Sequence, residues 1–144
     1  VIRRITVVLV AGLLLGACGS VSASTAMVSW VSQSNFTKNA KALLSDAQHS
    51  ATVLRNASST NADLHTVCGV ALYEIESANA SLPTPDAQAT ALLSMAYTDL
   101  GAGANQCYRA QRSATARARS LASLAKGAAA LSEASARIAV ASLP

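Results

Sequence analysis

Three cysteines, two histidines, seven carboxylates and three tyrosines are the side chains of this 144-residue chain best suited to chemistry. A metal site would need His, Cys or carboxylate ligands at set spacings, yet no CxxC, HxxxH or Glu-x-x-His occurs, and His49 and His65 belong to different helices. Glu74 and Glu76 suggest an acid–base pair, but two residues apart on a helix they point to opposite flanks. Among the many serines there is no G-x-S-x-G and no base in evident partnership. Met27 and Met95 are too few for a soft-metal or haem site and read as gap fillers. Tyr73, Tyr97 and Tyr108 either ring a small-ligand pocket between two helices or pack. The expectation is therefore no catalytic residue, no metal ligand and no cofactor.

The first cysteine has different company. Arg3 and Arg4 precede Ile5 to Ala17, an almost wholly apolar run that spans only about 20 Å as a helix. That is short of the ~30 Å hydrocarbon core, so residues 1–17 read as a signal peptide rather than a permanent span. Leu15-Gly16-Ala17-Cys18 resembles the lipobox of bacterial lipoproteins. The resemblance implies that diacylglycerol alkylates the Cys18 thiol and that a peptidase cuts before it. The mature chain would then be residues 18–144, fixed to the outer face of the cell membrane by two or three acyl chains, enough for firm anchoring. Val1 in place of Met fits a start codon other than AUG. The chain as a whole resembles small Ala-rich lipoproteins of actinobacteria, a likeness that carries no activity with it.

With Cys18 lipidated, Cys68 and Cys107 remain, and an exported protein with two leftover thiols is expected to join them. Closing that loop is worth roughly 4 kcal/mol in the chain-entropy picture. The alternative is two buried free thiols.

These residues need a scaffold, and composition restricts it. Apolar side chains make up 51% of the chain and charged ones 12%, with 32 Ala and only five aromatics. Scarce β-branched and aromatic residues argue against a strand-rich fold, and low charge argues against disorder. Residues 18–34 hold the lipidated cysteine and a Ser-rich, uncharged tether, with a short helical piece conceivable around Met27 to Val31. Trp30 either sits among headgroups near the anchor or packs on the end of the folded domain.

Residues 35–144 carry apolar seams at alternating spacings of three and four. A first helix capped by Asn35 runs to about 57, with Ala40, Leu44, Ala47, Ala51 and Leu54 inward. Ser58 to Asn61 turn the chain into a second helix over 62–81, with Leu64, Cys68, Ala71, Ile75, Ala78 and Leu82 inward. Thr84-Pro85-Asp86 starts a third over 85–111, presenting Ala89, Leu93, Ala96, Leu100, Gly103, Cys107 and Ala110. A fourth, capped by Ser113, covers 114–142 with Leu121, Leu124, Ala128, Leu131 and Ile138; one continuous long helix is the alternative. Short connections make an all-α, up-down-up-down four-helix bundle with one inter-helix disulfide. One strain shows: above the cysteines the third helix outruns the second by about 8 residues, ~12 Å, which residues 82–85 must climb.

Charge is uneven along the chain. Residues 42–104 carry a net −5, residues 105–144 a net +5. Arg112, Arg119 and Lys126 recur every seven residues on one outward stripe, with Arg109 nearby. That stripe is either a solvated face balancing acidic neighbours or a patch for an anionic partner. Nucleic acid is a poor fit for an exported chain without interleaved aromatics. Two functions follow: a non-enzymatic, lipid-anchored envelope protein offering its bundle to a protein or cell-wall polymer, or a protein that holds a small amphipathic ligand between its helices.

Overall fold

Five helices, α1 (Ala23–Gln33), α2 (Phe36–Arg55), α3 (Asn61–Asn79), α4 (Ala87–Arg109) and α5 (Ala114–Ala141), make up the computed structural model. It describes residues 22–110 and 113–144. The leader, Cys18 and Arg112 lie outside the described residues. Helices α2 to α5 pack up and down as expected, and α1 is an addition to the expected four.

The helix boundaries follow local chemistry. Thr60 and Asp63 form a reciprocal capping box: the Thr60 hydroxyl accepts from the Asp63 N–H at 3.2 Å, and the Asp63 carboxylate accepts from the Thr60 N–H at 2.7 Å. Those bonds hold the Asp63 carboxyl below the usual carboxylate range. Ser113 caps α5 through the Ala116 N–H, so two separate helices replace the single long one. At α4 the cap is Asp86, which accepts from Ala89 N–H at 2.7 Å. Pro85 therefore stands before the cap instead of at the first helical position. Asn35 sits at the start of α2 in the left-handed region, φ 51°, without a side-chain cap bond. Its part is to turn the chain sharply between α1 and α2, a conformation Asn tolerates better than most residues.

Two expected seams hold nearly throughout and two are rotated. On α3 Leu64, Cys68, Ala71, Ile75 and Ala78 are buried while Leu82 falls past the helix end and is half-buried; all seven on α4 and its cap are buried. On α2 the buried row is Phe36, Ala40, Leu43, Ala47, Ser50 and Leu54, leaving Leu44 and Ala51 half-buried. On α5 it is Arg117, Ser120, Leu124, Gly127, Leu131, Ala134 and Ile138, with Leu121 and Ala128 beside it. The reason is the tightness of the α4–α5 contact. A Cβ at Gly127 would lie 2.6 Å from Leu100 N and 3.0 Å from Ala96 O; one at Gly103 would lie 2.8 Å from Leu124 N. Glycines and Ser120, whose hydroxyl donates to Gly103 O at 2.7 Å, therefore take the centre, and larger residues flank them.

The tether expectation fails for residues 23–33. They form α1, opened by Ser22 accepting from the Thr25 N–H. Met27 is fully buried. Trp30 stacks obliquely on Phe36, centroids 5.4 Å apart, and its indole N–H donates to Ser81 O at 3.0 Å. It packs on the end of the domain, and α1 thereby reaches the 80–86 connection between α3 and α4. That connection makes the expected climb by folding onto α4: Thr84 N–H donates to Thr90 Oγ1 at 2.9 Å and the Thr84 hydroxyl donates to Asp86 O at 2.6 Å. Helix α1 thus closes the end where α2 begins and α3 and α5 finish. None of the described helices is long and apolar enough to cross a membrane.

Candidate functional site

Cys68 on α3 and Cys107 on α4 are both fully buried, with Cα atoms 5.9 Å apart and sulfurs at disulfide distance. Next to them Tyr108 lies over Gly69, its ring 3.7 Å from where a Cβ would be, and stacks on His65 at 4.2 Å between centroids. This arrangement packs an exposed histidine as a plate over the joint. Tyr97 is buried, which pushes its hydroxyl up to about 12, and Tyr73 stands out in solvent. The three tyrosines therefore do not ring one pocket.

The end of the molecule at the α2–α3 and α4–α5 turns is rich in arginine, and its members differ. Arg109 and Arg119 are exposed and line one shallow groove of about 260 Å³ with Asn105, Gln106 and Ala116. Lys126, farther along α5, pairs with Asp99 of α4 at 3.1 Å, so part of the expected stripe balances an acidic neighbour. Arg117 is buried. Its guanidinium donates to Leu54 O at 3.1 Å, Asn56 O at 2.8 Å and Ser59 O at 3.2 Å. These are terminal carbonyls of α2 and its following turn, which carry partial negative charge and lack helical partners. The heptad spacing of Arg112, Arg119 and Lys126 had drawn attention away from Arg117, whose place on the buried seam was the available signal.

A cross-helix carboxyl pair also escaped the sequence reading. Glu74 does not pair with Glu76; it faces Asp46 of α2. Hydrogen bonding to Asp46 raises the Glu74 carboxyl above its ordinary value, and burial and the Asp46 charge push the same way. One Asp46 oxygen at this contact is buried without a hydrogen-bond partner. Beside the pair runs a groove of about 280 Å³ lined by Lys38, Asn39, Tyr73 and Ser77 among others. Opposite charges meet at the other end of α4, where Arg137 Nε donates to Asp86 at 3.1 Å and its terminal nitrogen completes a forked contact. Held by that guanidinium and by the Ala89 N–H, the Asp86 carboxyl falls to about 2. Among the described residues no three of His, Cys, Asp or Glu gather as a metal would require.

A more apolar concavity lies at the α1 end. A groove of about 420 Å³ runs between α1, α2 and α5, walled by Val31, Phe36, Ala40, Leu44 and Ile138, with Lys41 at its edge. It is open to solvent.

Comparison of the chain with protein-family models, with curated proteins and with solved structures finds no match.

Proposed function

We propose that this chain is an extracytoplasmic lipoprotein, anchored through Cys18, whose helical bundle acts by recognition and not by catalysis. The observation that carries the reading is the separation of the thiols. Cys68 and Cys107 meet at disulfide distance in the core, while in the sequence Cys18 follows an apolar leader. A stable bridge belongs to an oxidising compartment, and lipobox and bridge point to the same side of the membrane. The non-enzymatic part is supported by how the ionisable side chains are employed: Asp63 and Asp86 cap helices, Arg117 closes α2, and Arg137 and Lys126 pair across α4–α5. Arg109 and Arg119 are left facing outward together, suited to an anionic partner such as an acidic protein surface or a wall polymer. Mass analysis of the N-terminal peptide from the producing cell tests the anchor. An acylated Cys18 at the mature terminus is expected; an unmodified thiol or cleavage at another bond refutes it.

A second reading draws on the 420 Å³ groove, whose apolar walls and single lysine suit a small amphipathic ligand with an anionic head. Titration with a long-chain fatty acid, followed by the emission of the nearby Trp30, tests it. Saturable change supports the reading, and linear or absent change removes it.

A further inference from the structure

The bundle is polarised along its axis. Three segments meet at the α1 end: residues 22–37, the 80–86 connection and residues 138–144. Asp86 is the one ionisable side chain among them. Large apolar side chains there face solvent, with Val28 52%, Val140 60% and Leu143 64% exposed, and the apolar groove between α1, α2 and α5 opens beside them. Lys38 and Lys41 are exposed on the opening turns of α2, and Glu76 is exposed at a similar depth on the last turn of α3. Asp86 and Arg137 neutralise one another close by. Glu133 lies deeper, before the uncharged end of α5. The far end instead carries Arg55, Arg109 and Arg119, at a distance set by α5, whose 28 residues span ~42 Å.

We propose that the apolar α1 end docks on the bilayer surface, with Val28, Val140 and Leu143 entering the interface and Lys38 and Lys41 meeting anionic headgroups. An apolar tip with a net basic collar is the composition that binds such an interface. Chain length agrees: Cys18 precedes Ser22 by four positions, a reach of at most ~14 Å. The inference rests on the reading of Cys18 as the anchor, which supplies that short leash. Docked in this way, the bundle stands upright and holds Arg109 and Arg119 away from the membrane.

The chain has one tryptophan, Trp30, at the end in question, and this provides the test. Acylated protein purified from the producing cell is reconstituted into vesicles containing anionic phospholipid, with and without brominated acyl chains. Expected results are flotation with the vesicles and loss of Trp30 emission in the brominated set. A Trp30→Phe/Tyr108→Trp protein, with its probe at the far end and its helicity checked by circular dichroism, is expected to float without quenching. Val28→Asp combined with Leu143→Asp is expected to float still and to lose the quenching. Flotation with an unquenched Trp30 overturns docking while leaving the anchor intact; quenching at both probe positions means the bundle lies flat and also overturns it. If the protein purified from the producing cell carries no acyl chain and does not float, the anchor and this proposal fall together. Trp30 emission that follows protein concentration instead of bromination means a second copy covers this end, which likewise overturns the proposal.

Discussion

Reducing the pair between α3 and α4 should cost this protein a large part of its stability. The residues joined are 39 apart in sequence, and the bridge removes loop freedom from the unfolded chain worth roughly 4 kcal/mol. A domain of this size unfolds with an entropy near 0.25 kcal/mol/K, so the midpoint should fall by about 15 °C. Cys68 and Cys107 are fully buried, so the reduced thiols remain shielded from water in the native state. Thermal unfolding followed by circular dichroism, with and without reductant, measures the shift. A Cys68→Ala/Cys107→Ala protein should melt at or below the reduced wild type and be indifferent to reductant. If oxidised and reduced protein melt within about 3 °C of each other, the unfolded chain is not being restrained by this link and the reasoning fails.

The other expectations concern packing and charge. Gly127→Ala should destabilise by about 2–4 kcal/mol in urea titration, since the added methyl meets the backbone of α4, which cannot swing aside. Arg117→Ala should cost about 2–3 kcal/mol by the same measurement, with Arg117→Lys recovering only part, because a lysine lacks the fork that reaches three carbonyls. Arg119→Gln should stay within about 0.5 kcal/mol of the parent. Asp86 has a folded pKa of about 2 against an ordinary 3.8, so its contribution is complete above pH 3.8 and fades as pH falls toward 2. Asp86→Asn should remove that acid-side slope, about 1–2 kcal/mol in stability measured from pH 5 to pH 2. For Glu74 the sign is opposite: its raised pKa means stability is lost as pH climbs through the folded value, and Asp46→Asn should flatten that loss.

The sequence was most legible where one helix face does one thing. On α3 and α4 the 3–4 spacing of apolar residues passes through both cysteines, and burial follows it residue by residue. On α5 the same arithmetic misled, because hydrophobicity and burial part company where backbones nearly touch. Gly127, Ser120 and Arg117 are inside while the larger Leu121 stays at the edge. The Ser-rich look of residues 23–33 hid α1, whose stability comes from Met27 and Trp30 packing on distant residues and not from local propensity. The Asp46–Glu74 pair was illegible for a related reason, since it depends on the rotation of α2 against α3. Among the site residues, the Cys68–Cys107 proximity was readable from the cysteine count together with the seams. Lys126 stays on the outward face, 75% exposed, and there balances Asp99, a residue 27 positions earlier.

The glycine crossing of α4 and α5 has a thermal consequence. Where Gly127 lets Leu100 and Ala96 come against bare backbone, close atom-to-atom attraction adds to the burial of Leu100, Leu124 and Leu131. Dispersion of that kind hardly changes with cooling, whereas the expulsion of water from leucine weakens in the cold. Chilled toward freezing, the molecule would loosen first around Leu43 and Leu54 of α2, and the α4–α5 hairpin would be its most frost-hardy half.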